Sequence, residues 1–106
     1  MIDETRLHKA LTYLATTDEP CAEAKAEMER AEFRAKAVKD AMFKRLDGSV
    51  ADRQAAAGSS QEYDAAMEQY FDALKQYEAM RNKRSTEAIV VETWRSLNAA
   101  RRQGNV

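Results

Sequence analysis

The residues best equipped for chemistry in this chain are cations, and they gather toward its end. Residues 81–106 carry Arg81, Lys83, Arg84, Arg95, Arg101 and Arg102 against Glu87 and Glu92, a net of +4. Residues 1–80 hold 11 Lys/Arg against 16 Asp/Glu, a net of −5. The whole chain is at −1, so no global field draws nucleic acid or membrane to it. The asymmetry predicts a local site instead, because cations repeated along a helix neutralise phosphates and release their counterions. Arg95, Arg101 and Arg102 form the first candidate set for nucleic acid, and Arg81, Lys83 and Arg84 the second. Trp94, in the same segment, offers a face on which an unpaired base stacks. Simpler roles compete with these. Cations near a helix C-terminus offset the macrodipole, Arg81 and Arg84 are placed to pair with Asp18, Glu19 and Glu23, and Trp94 also suits a core or an interface.

Other reactive types are isolated. His8 is the only histidine and has no Cys or His at ligand spacing, and Cys21 has no histidine to activate it. The carboxylates Glu27, Glu29 and Glu32 alternate with Arg30, Arg34 and Lys36, the pattern of a solvated helix face rather than of an acid–base pair. Phosphate loops, nucleophile elbows and zinc spacings are absent, so the sequence predicts no enzyme, no metal and no cofactor. Tyr63, Tyr70 and Tyr77 recur every seven residues, which suits packing against small residues better than stacking on bases.

Helices must position these groups. A chain of 106 residues with three Gly, one Pro and a third of its residues charged is one domain at most and all-α. A first helix is expected over 3–16, with Asp3 as N-cap and Leu7, Leu11 and Leu14 on one stripe. Thr16-Thr17-Asp18-Glu19-Pro20 reads as a break, with Pro20 in the first turn of a second helix over 19–46. That helix carries a heptad seam through Ala24, Met28, Ala31, Ala35, Val38 and Met42. Gly48 ends it, a short helix is possible over 50–57, and Ser59 or Ser60 caps a long helix over 60–100. The long helix has its own seam, Tyr63, Met67, Tyr70, Leu74 and Tyr77, then a polar interruption from Arg81, then Ala88, Val91 and Trp94.

The two seams predict a long antiparallel, coiled-coil-like hairpin whose N-terminal arm is kinked or broken at Pro20. The expected register sets Val38 against Met67, Ala35 against Tyr70, Leu14 against Val91 and Leu11 against Trp94. Such a hairpin leaves large apolar residues off the seam, among them Phe33, Phe71, Ile89, Val90 and Leu97. These five are the candidate interface of a homo-oligomer. No apolar run approaches the roughly 18 residues of a bilayer span. The acidic, polar N-terminus is unlike a signal peptide, and a single cysteine fits a reducing compartment, so the cytoplasm is the expected location.

The C-terminal string, Trp94-Arg95-Ser96-Leu97-Asn98-Ala99-Ala100-Arg101-Arg102-Gln103-Gly104-Asn105, resembles a signature of small helical proteins of tailed bacteriophages, Trp-Arg-Ser-x-Asn-Ala-x-Arg-Arg-x-Gly-Asn. The Tyr-rich helix and the Met/Ala-rich arm are similar to that group as well, although Ala100 stands where the pattern has a polar residue. The resemblance implies a phage protein of the host cytoplasm, encoded near recombination functions. It would bind single-stranded DNA non-specifically as a homo-oligomer, with a recombinase or a single-strand annealing protein as a possible partner. The analogy in kind is the UvsY type of recombination mediator. The alternative is a structural or adaptor protein acting through helix–helix contacts.

Overall fold

The computed structural model describes residues 2–104, which form three α-helices and no strand. Helix α1 spans Glu4–Arg45, α2 Val50–Gly58 and α3 Gln61–Gly104. The helix starts are capped as their residue types dictate. Asp3 Oδ1 accepts the Arg6 amide at 2.8 Å, Ser49 Oγ that of Asp52 at 3.1 Å, and Ser60 Oγ that of Tyr63 at 3.2 Å. Gly48 turns the chain out of α1 at φ +115°, a conformation L side chains rarely adopt.

The expected break at Thr16–Pro20 is absent: the two helices expected over 3–16 and 19–46 are one, Glu4–Arg45. Pro20 withdraws the amide that the Thr16 carbonyl would receive and crowds that carbonyl with its ring. The heptad phase runs straight through it. Leu7, Leu14, Cys21, Met28, Ala35 and Met42 are all buried or half-buried, and so are Ala10, Thr17, Ala24, Ala31 and Val38. An uninterrupted stripe of 3.5-residue period holds the helix together across one missing hydrogen bond.

The chain packs as two compact units. One joins α1 up to Ala22 with α3 from Glu78 onward. There the helices run antiparallel, since Arg6 meets Glu87 while Leu14, Thr17 and Asp18 meet Arg84. The polar contacts between the two helices were not expected from the seams: the Leu14 carbonyl accepts from Arg84, and Arg6 meets Glu87. Leu11, expected against Trp94, is 48% exposed. The phase of α3 differs too. Arg84 and Glu87 lie on its inward stripe with Val91, Trp94 and Asn98, while Arg81 and Ala88, expected on the seam, are exposed.

The other unit runs from Glu23 to Tyr77 and contains α2. Ala31, Ala35, Ala57 and Ala66 are its buried residues, with Tyr63, Met67, Tyr70, Leu74 and Tyr77 half-buried along α3. Packing is therefore the role of the tyrosine column. Lys39 lies over the Tyr63 ring at 5.4 Å, and the Arg53 guanidinium over Phe43 at 4.4 Å, which draws Phe43 under α2.

Candidate nucleic-acid interface and self-association surface

The six candidate cations fall into very different surroundings. Arg84 is the most committed. From its inward position on α3 it donates to the Leu14 carbonyl at 2.8 Å, to Thr17 Oγ1 at 2.7 Å and to Asp18 Oδ1 at 3.1 Å. Thr17 Oγ1 in turn donates to the Tyr13 carbonyl at 2.6 Å. The sequence-level pairing of Arg84 with Asp18 is present at the surface, while the bonds to Leu14 and Thr17 are part-buried against α1. Lys83 lies 4.5 Å above the centre of the Tyr13 ring, a cation–π contact. Arg81 pairs with Glu78 one turn earlier at 3.2 Å rather than with Glu19 or Glu23.

Below Arg84 on the same stripe lies a pair with no counterpart in the sequence reading. Arg6 grips Glu87 with both terminal nitrogens, at 2.6 and 2.9 Å. Glu87 is the one buried charged residue among those described, at 8% exposure. The hydrogen bonds from Arg6 hold its carboxyl below the usual range against the opposing effect of desolvation, with Lys83 adding a smaller attraction. The bidentate geometry is what makes a buried carboxylate on this stripe tolerable. Glu87 shares a heptad position with Met80 and Trp94, the signal that could have placed it inside.

Toward the end of α3 the protein opens to solvent. Arg95 forms an exposed pair with Glu92 at 3.1 Å. Arg101 and Arg102 are exposed in the last turn and have no ion-pair partner among the described residues. Trp94 is half-buried on the inward stripe, a packing position. Residues 99–104 are exposed throughout, while Asn105 of the C-terminal string lies outside the described residues. The structure thus brings Arg81, Lys83 and Arg84 into intramolecular contacts, pairs Arg95 with Glu92 on the surface, and leaves Arg101 and Arg102 without an ion-pair partner among the described residues.

Four of the five candidate interface residues are exposed: Phe33 at 74%, Ile89 at 65%, Phe71 at 49% and Leu97 at 42%. Val90 is half-buried, because the inward stripe takes one edge of it. Among the described residues, none of the helices is long and apolar enough to cross a membrane, and no cluster of His, Cys, Asp or Glu is arranged to hold a metal ion.

Comparison with protein-family models, with characterised proteins and with solved structures finds no match for this chain.

Proposed function

We propose that this chain is a non-enzymatic helical protein that works as a homo-oligomer and binds single-stranded DNA through the basic end of α3, as an accessory of phage DNA recombination. The observation that carries the proposal is a mismatch between what is buried and what is left out. The buried apolar residues are all alanines, and no large side chain is fully buried. Phe33, Phe71, Ile89 and Leu97, large apolar side chains, stand in solvent instead. Self-association supplies the missing burial, and it multiplies Arg95, Arg101 and Arg102 around a symmetry axis into a dense cationic patch. The phage setting and a recombination partner rest on the resemblance of the C-terminal string alone.

Binding of fluorescent oligo-dT tests the DNA reading. The expected result is binding at low salt that weakens steeply as salt rises, because phosphate contacts act by counterion release. The double substitution Arg101→Glu and Arg102→Glu should weaken it roughly tenfold or more, whereas Arg81→Glu should change it little. Absence of binding at low salt, or binding indifferent to salt, would defeat the proposal.

A second reading, a structural or adaptor protein acting through helix–helix contacts, is favoured by one specific observation. Arg84 and Lys83, which would otherwise contribute to a phosphate site, are held against α1. This reading predicts the same oligomer with no affinity for oligo-dT.

A further inference from the structure

Helices α1 and α2 meet inside the unit Glu23–Tyr77, and a cleft of about 450 Å³ opens between them. Lys39, Asp40 and Phe43 of α1 line it together with Gln54 and Ala57 of α2. The volume lies in the range of small-molecule sites, roughly 300–1,000 Å³. Phe43 and the fully buried Ala57 form an apolar wall, and the other three residues are polar. We propose that this cleft binds a nucleotide, its phosphate held by Lys39 and Arg53 and its base by Asp40 and Gln54. The proposal needs neither self-association nor the basic end of α3.

Two cations at the cleft carry uncompensated charge. Lys39 is held over the Tyr63 ring at 5.4 Å, and the Arg53 guanidinium over Phe43 at 4.4 Å. Aromatic faces position both groups without neutralising them. Among the described residues neither pairs with a carboxylate, whereas Arg30, Arg34, Arg81 and Arg95 all do. The Arg53 Nε is also buried with no hydrogen-bond partner, a state rare in native proteins. Such a donor calls for an acceptor, and a phosphate presents several to a guanidinium fork. Asp40 makes a bare anion a poor occupant, because its carboxylate lines the same cleft and repels one. It has no ion-pair partner among the described residues, so its oxygens are open to an N–H donor. Every nucleobase offers an N–H on its Watson–Crick edge, and the Gln54 amide supplies both a donor and an acceptor for that edge. An anion joined to a flat ring with N–H donors meets all of these groups at once.

Amide chemical-shift titrations of the full chain test the proposal, with dTMP, oligo-dT and inorganic phosphate as probes. Saturable shifts from dTMP should centre on residues 39–43 and 53–58, and phosphate, which has no base, should bind roughly tenfold more weakly. Lys39→Gln and Arg53→Gln should each weaken dTMP by about tenfold, the cost of a hydrogen bond to a charged group, at unchanged helical circular dichroism. Asp40→Asn should weaken dTMP yet strengthen phosphate, a split that a folding defect does not produce. Oligo-dT acting at lower concentration than dTMP on the same amides would make a DNA strand the source of the nucleotide, and the reverse order a free nucleotide. The double substitution Arg101→Glu and Arg102→Glu should leave dTMP binding unchanged, which separates this cleft from the end of α3. Absence of these shifts with both dTMP and oligo-dT would overturn the proposal. So would shifts that persist unchanged in Lys39→Gln and Arg53→Gln, or phosphate binding as tightly as dTMP.

Discussion

At the scale of single residues, the hydrogen bonds between α1 and α3 before Ala22 are concentrated, among the described residues, in two α3 side chains, Arg84 and Glu87. Arg84 spends its donors on the Leu14 carbonyl, Thr17 and Asp18. Its replacement by Ala should lower unfolding stability by about 2 kcal/mol in urea titrations, the range for hydrogen bonds to a charged group. Arg81→Ala, which breaks only an exposed pair with Glu78, should stay within about 0.5 kcal/mol. Glu87 gives a pH signature with a definite sign. Its folded-state pKa lies below the usual carboxylate value because Arg6 hydrogen-bonds the ionised form. The stabilisation is therefore fully present above the unfolded value of about 4.3 and is lost as pH falls through the lowered folded value. Thermal melts from pH 7 to pH 3 should show the midpoint falling below about pH 4.5, and Glu87→Gln should flatten part of that fall. Glu27, whose pKa is lowered by Arg34 and Arg30 on an open face, contributes to the same acid window. An equal fall in the Glu87→Gln variant would mean that the Arg6 pair contributes nothing.

At the scale of elements, Pro20 is the instructive position. Thr16-Thr17-Asp18-Glu19-Pro20 has the local chemistry of a helix end followed by a helix start, yet α1 continues. Local punctuation was decisive in the sequence reading, while the seven-residue spacing of Leu14, Cys21 and Met28 across it was the better guide. Pro20→Ala restores a donor to the Thr16 carbonyl and removes the ring clash, so it should raise stability, by up to about 3 kcal/mol. Unchanged or lower stability would show that α1 gains something at this point from the missing bond. The long helix was legible from Ser60 onward because it lacks Gly and Pro until its last residue, and the caps Asp3, Ser49 and Ser60 were legible from residue type. The phase of α3 past Tyr77 was not. A hydrophobic pattern is blind to polar residues that occupy seam positions, and here Arg84 and Glu87 do so. Reading both as an interruption moved the seam to Arg81 and Ala88, which are exposed.

At the scale of the whole molecule, the alanine core and the exposed Phe33, Phe71, Ile89 and Leu97 are two sides of one fact. Alanine on the seam lets helices approach, but each buried Ala removes far less apolar area from water than a Leu or Phe would, at roughly 25 cal/mol per Å². The Leu, Met and Tyr side chains of the seams are only half-buried, and these four larger ones point the other way. Such a chain should fold and associate together. If so, its thermal midpoint is a function of protein concentration, because the associated form is stabilised by mass action. Circular dichroism melts over a hundredfold range of concentration should show the midpoint rising by several degrees per tenfold, equivalent to about 1.4 kcal/mol for each tenfold in a coupled dimer. The basic end of α3 gives the same measurement a second use. Added oligo-dT should raise the midpoint further at low salt if Arg95, Arg101 and Arg102 bind phosphates, and the increment should vanish at high salt. A midpoint independent of concentration would mean that the chain is stable alone with its large apolar residues in water, and both the oligomer and the cationic patch built on it would fall together.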